Sequence, residues 1–210
     1  MTRETPSRQE HAASAWAWPL LATLVIQATA AFINRLIPTL APAFTAEFGW
    51  DPAAAGYLAG LGTFGSILFL LTGNPLIRRS GPIRALQFGL VIGGIGIILL
   101  AWPTTTVAAL ASLLIGLGYG PSAPAGSDIL QRYAPARHRN LVFSIKQAGV
   151  PAGGVLAGMA LPPILEFGGW GATLTFTALI VLLAVLIVQP LRNRIDAGRD
   201  PRQPLNPGLS

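Results

Sequence analysis

The chain predicts an all-α membrane protein, a bundle of six transmembrane helices, on three observations. Six long apolar stretches fill it, at roughly Trp16–Leu40, Ala54–Leu71, Ile83–Ala101, Thr105–Ala125, Leu141–Ile164 and Gly171–Val188. Each is close to the ~20 residues that carry a helix across a ~30 Å hydrocarbon layer. Basic residues fall on alternate gaps between the stretches, and tryptophans fall at their ends.

Composition agrees. Mean hydropathy is +0.57 and charged residues make up 10% of the chain, where a soluble domain carries about 25%. A net charge of +6 raises the possibility of a nucleic-acid partner. The arginines form no stripe on one element, however; they sit in short gaps, where the positive-inside bias and anionic headgroups place them. No nucleic acid is expected.

Arg3 and Arg8 precede span 1, and Arg78, Arg79 and Arg84 follow span 2. Arg132, Arg137 and Arg139 follow span 4, and Arg192, Arg194, Arg199 and Arg202 follow span 6. The other three gaps hold Glu47, Asp51 and Glu166 and no basic residue. An even number of crossings with both termini in the cytoplasm is the arrangement that divides them so. Trp16 and Trp18 start span 1, and Trp50, Trp102 and Trp170 lie at outer ends, as interfacial rings do. The first stretch is too long for a secretory signal and reads as an uncleaved helix.

The domain reading is a cytoplasmic N-terminal tail over 1–15, the six-helix bundle over 16–190, and a linker-like cytoplasmic C-terminal tail over 191–210. Asp51-Pro52 opens span 2, Asp as cap and Pro in the first turn. The fourth gap, about Asp128–Asn140, reads as the longest loop, and Leu165–Gly171 as a short one. Small residues spaced four apart (Gly56 and Gly60, Gly116 and Gly120, Gly149 and Gly153, Gly154 and Gly158) are candidates for close helix contact. Pro38, Pro121, Pro124, Pro151 and Pro162 mark kinks or interruptions.

No cofactor, metal site or enzyme is expected. The chain has no cysteine, its two histidines form no cluster with other ligands, and it carries no phosphate-binding loop or paired catalytic acids.

Polar residues inside the apolar stretches are the candidate site. Arg35 lies within span 1 beside Asn34 and before Pro38, and a lone charge there costs at least ~3 kcal/mol on insertion scales. It therefore reads as facing a cavity that favours an anionic or carboxylate group, with Gln27 two turns earlier on the same face. Snorkelling of Arg35 to the outer headgroups is the competing reading. Tyr119 and the span 4 glycines are placed on the same lumen. Asp128 and Lys146, with Gln147 beside it, stand at matching depth on consecutive antiparallel spans, as a salt bridge or a gate.

The run Gly116-Leu117-Gly118-Tyr119-Gly120-Pro121, the run Ser144-Ile145-Lys146-Gln147-Ala148-Gly149-Val150-Pro151-Ala152-Gly153-Gly154, and Glu47-Phe48-Gly49-Trp50 resemble a bacterial subgroup of the major facilitator superfamily. Over roughly residues 20–200 the chain resembles the N-terminal six-helix half of such a transporter. The resemblance implies half of a major facilitator fold, two inverted three-helix repeats, and no enzyme. It also implies a bacterial cytoplasmic (inner) membrane and secondary transport of a small polar or anionic solute by alternating access. The family's loop signature between helices 2 and 3 is altered. Asn74 stands where the family has Gly and Arg78 where it has Asp, while Leu76, Arg79, Gly81 and Arg84 keep its pattern. The resemblance implies a second six-helix half as partner, in a longer product, a parallel homodimer or a separate subunit. A non-transporting accessory or truncated protein that keeps the fold is the alternative.

Overall fold

A computed structural model describes residues 8–102 and 104–202; Arg3 with the rest of 1–7, Pro103 and residues 203–210 lie outside the described residues. Among the described residues ten α-helices follow one another: α1 (Arg8–Asn34), α2 (Leu36–Thr39), α3 (Ala41–Phe48), α4 (Pro52–Thr72), α5 (Asn74–Ser80), α6 (Pro82–Leu99), α7 (Thr105–Tyr119), α8 (Ser122–Tyr133), α9 (Arg139–Val188) and α10 (Arg192–Ile195). Span 1 starts early, since α1 is helical from Arg8, and continues through α2 and α3. Span 2 is α4, span 3 is α6, and span 4 is α7 with α8.

At ~1.5 Å per residue the 50 residues of α9 would be about 75 Å long as one rod, more than twice a hydrocarbon core. Gly169 breaks it, with φ 73° and ψ −175°, values that only glycine adopts readily. The two limbs run in opposite directions. Along 139–168 the positions of Gly149, Gly153 and Gly154 meet Gln27, Ala31 and Arg35 of span 1 in rising order. Along 170–188 the order reverses against α6. The Trp170 indole N–H donates to the Leu100 carbonyl (2.8 Å) at one end, and Gln87 donates to Gln189 (2.7 Å) at the other. Among the described residues five helical stretches are long and apolar enough to cross a membrane, and the last of them folds back on itself at Gly169.

The gaps differ from expectation. Helix α8 runs on to Tyr133, so the fourth gap shrinks to Ala134–His138. The fifth gap is a turn at Gly169 rather than a seven-residue loop. The first is short because α3 extends to Phe48 and stops at Gly49, φ 65°. Asp51 accepts from the Ala53 N–H at 2.7 Å, as the cap reading required. Pro151 and Pro162 stay within α9.

Without a hydrophobic drive between helices in lipid, the bundle depends on close packing and hydrogen bonds. Spans 2 and 4 meet backbone to backbone: a Cβ on Gly116 would overlap the Gly62 carbonyl, and one on Gly65 would overlap that of Leu113. Ser66 Oγ donates to the Gly116 carbonyl across this seam, at 2.9 Å. Spans 1 and 5 meet likewise at Gly153, where a Cβ would overlap the Ala28 carbonyl. Gly56, Gly60 and Gly158 face open space instead. They mark outer faces of α4 and α9 that also expose Tyr57, Phe64, Val155 and Met159.

Candidate functional site

Span 1 breaks where its polar residues stand. Pro38 has no N–H, so the Asn34 carbonyl loses its usual i+4 donor. The Arg35 N–H is shared between the Ala31 and Phe32 carbonyls (3.1 and 3.2 Å), and Arg35 sits at φ −89°, ψ −6°, outside the regular helix. Ile33, Leu36 and Ile37 around it are buried in the core, while Arg35 itself is exposed.

A cavity of about 260 Å³ opens between spans 1, 2 and 4, lined by Asn34 and Arg35 with Leu58, Gly62, Thr63 and Ser112 among its walls. Among the described residues Arg35 is the one charged residue that lines it. The hydroxyls of Ser112 and Thr63 donate to their own helix carbonyls, Ala108 (2.8 Å) and Ala59 (3.1 Å). They therefore offer only lone pairs to the cavity. Ile37, Leu58 and Ile115 supply buried apolar wall. On its other flank Arg35 borders a recess with Pro151, Gly154 and Val155 of span 5, and its stem passes the Gly154 position at ordinary contact distance. Among the described residues the ion pair is Arg132–Asp128, at 2.7 Å, so Arg35 carries no carboxylate partner there. A guanidinium with no hydrogen-bond partner among the described residues, beside a cavity lined by both polar and apolar groups, presents the fork of donors that matches a carboxylate-shaped anion.

The structure brings Asn34 and Arg35 together, keeps Tyr119 within reach of the Arg35 charge, and parts them from the other candidates. Gln27 is 2% exposed and packs into the span 1–span 5 seam against Gly149; its Oε1 has no protein partner among the described residues. Tyr119, half-buried at the end of α7, packs on the core. The expected Asp128–Lys146 pair does not form. Neighbours on a helix point about 100° apart, so Ser127 faces Lys146 and Asp128 faces outward to Arg132, four residues on. Lys146 Nζ donates to the Ala123 carbonyl (3.2 Å) and Ser127 Oγ (3.4 Å). Gln147 is exposed.

The loop residues group at the arginine-rich end. Asn74 opens α5, Leu76 is half-buried, Arg78 and Arg79 are exposed, and Gly81 turns the chain into α6 at φ 92°. Arg84 lies in the first turn of α6, where its N–H and that of Ile83 donate to Asp196 (3.1 and 2.9 Å). Sequence reasoning missed Ser112 and Thr63 in the cavity wall, though hydroxyls within apolar spans were a readable signal. Gly62 carried none.

A cavity lined by both polar and apolar groups, set against a broken first span inside a bundle of apolar helices, is the setting for the chain's likeness to known proteins. The Major Facilitator Superfamily profile matches residues 20–208. The chain belongs to the Major Facilitator Superfamily. It is thus a multi-pass membrane protein of that superfamily, with the all-α half-fold its sequence resembled. It is 26% identical over 150 residues to the 4-hydroxybenzoate transporter PcaK of Pseudomonas aeruginosa, covering 71% of this chain and 34% of that protein. With the sodium-dependent phosphate transport protein 1, chloroplastic, of Arabidopsis thaliana it shares 30% identity over 131 residues, 59% of this chain and 25% of the relative. A gallate transporter of Pseudomonas putida is 27% identical over 146 residues, 68% and 32% of the two chains. The chain spans a quarter to a third of the length of these relatives.

Proposed function

We propose that this chain forms one half of a secondary transporter that moves a small organic anion by alternating access. Arg35 receives the anion, a carboxylate by preference, and the Asn34 amide adds donors beside it. The cavity has one cation and buried apolar walls, which suits a single negative charge on a small apolar body. A second negative charge would meet the lone pairs of Ser112 and Thr63 and be buried unpaired. That guanidinium, with no carboxylate partner among the described residues, carries the reading, and the anions for which the relatives are named support it.

A second six-helix half covers the open faces of α4 and of the 139–168 limb, whether it comes from a longer product, a parallel second copy or a separate subunit. Rocking of the two bundles about the site gives access to each side in turn. The arginine-rich end faces the cytoplasm of a bacterial inner membrane, with both termini inside; a reporter fused after Trp102 or Gly168 is expected outside. The substitution of Arg78 for an acid in the loop signature favours a second reading, an accessory membrane protein that keeps the fold without transporting.

Binding separates the two. Purified chain in lipid nanodiscs is titrated with radiolabelled benzoate. Arg35→Ala, which removes a charge-assisted hydrogen bond worth roughly 1.5–3 kcal/mol, is expected to weaken binding about 10- to 100-fold. Unchanged binding in that variant would remove Arg35 from the site.

A further inference from the structure

We infer that Gly62 sets the size of the anion that the Arg35 cavity admits; this rests on the site proposed above. Gly62 lines the cavity on span 2, facing Asn34 and Ser112 across it. Its other side is fixed. The Gly62 carbonyl lies where a Cβ on Gly116 would be, and Ser66 Oγ bridges the Gly62 and Gly116 carbonyls (3.2 and 2.9 Å). The backbone at Gly62 therefore cannot retreat from a ligand, and close-packed seams of this kind transmit strain rather than absorb it.

Toward the cavity the position is buried but not crowded. A Cβ on Gly62 would meet the Ser112 carbonyl at 3.4 Å and Asn34 Oδ1 at 3.9 Å, both ordinary contacts. An alanine there fits the fold, unlike alanines at Gly65 or Gly116. Its methyl, about the bulk of one water at ~30 Å³, comes out of a cavity of about 260 Å³. It stands beside the amide of Asn34, where the body of an anion held by Arg35 would lie. The missing side chain at 62 is thus a vacancy used by the ligand.

The test compares acetate and benzoate binding in wild type, Gly62→Ala and Arg35→Ala, each in nanodiscs with the thermal midpoint recorded. Gly62→Ala is expected to leave acetate within about twofold and to weaken benzoate about tenfold or more, the scale of one methylene misfit in a pocket. Equal loss for both anions, or no loss for either, overturns the inference. Loss of both anions in Arg35→Ala together with a size-neutral Gly62→Ala sinks the role of Gly62 alone. Retained binding in Arg35→Ala sinks the site itself. Ala59→Val narrows the same wall one turn away and should shift the same ratio, so the outcome does not depend on Gly62→Ala folding well.

Discussion

Burying an ammonium costs several kcal/mol even after relaxation unless a counter-charge answers it. Lys146 is 1% exposed and holds one carbonyl and one hydroxyl at 3.2 and 3.4 Å. Its stem fits because residue 126 is glycine, where a Cβ would press on Lys146 Cε at 2.8 Å. Residue types alone suggested Asp128 as partner, and the depth was right. The direction was not, because the helix that carries Asp128 continues to Tyr133 and offers it Arg132 at i+4. Once α8 is read as helix to that point the i,i+4 pair is legible; read as a loop from Asp128, it is hidden. A buried cation with only neutral partners contributes little to stability, so Lys146→Met, of similar length and no charge, is expected to leave the thermal midpoint in detergent unchanged or raised. A fall equivalent to more than about 2 kcal/mol would mean that the ammonium is compensated. Asp128→Asn, at an exposed pair, should cost no more than about 0.5 kcal/mol.

Helices α4 and α7 carry the clearest contrast between pattern and packing. Four-residue spacing of small side chains marked both Gly56 with Gly60 and Gly116 with Gly120, and spacing cannot say which pair meets a neighbour. The fold uses Gly116 against Gly62, with Gly120 under the Phe69 side chain, and leaves Gly56 and Gly60 in open space. Gly116→Ala is accordingly expected to cost about 1–3 kcal/mol or more from overpacking, and Gly56→Ala to stay within about 0.5 kcal/mol. Paired thermal melts check this, and a Gly56→Ala as damaging as Gly116→Ala would refute the assignment of faces. The tryptophans teach the same lesson. Their places at helix ends were legible, yet Trp50 stacks on Phe44 at 5.0 Å and Trp170 crosses that ring at 4.8 Å. This aromatic plug joins α3 to the turn at Gly169, a long-range pairing that local sequence does not encode.

At the scale of the molecule, residues 192–202 of the segment after span 6 pack against the bundle. The apolar crossing helices and the grouping of arginines were legible because hydropathy and charge report on the solvent each residue meets. Contacts of a polar tail carry no such signal. Ile195 is buried in the main core, the Asp200 N–H donates to the Arg78 carbonyl at 3.0 Å, and Asp196 is 2% exposed. The Asp196 carboxylate caps α6 through two N–H groups, where the helix dipole favours a negative charge. Gly81 is required there, since a Cβ on it would overlap that carboxylate. Removing the cap with Asp196→Ala is expected to cost about 1–2 kcal/mol and to open 192–200 to protease. Burial pushes the Asp196 carboxyl above its ordinary value of 3.8, against the pull of the Ile83 and Arg84 N–H groups and of Arg192 and Arg199. The folded chain then holds this proton more tightly than the unfolded chain. By linkage the contribution of Asp196 falls as pH rises from the ordinary value through the raised one, and is flat above it. Thermal midpoints of wild type and Asp196→Asn, compared from about pH 4 to 7, should therefore differ most in favour of wild type at the acid end. A difference that grows toward neutral pH would show that the two N–H groups and the arginines outweigh burial.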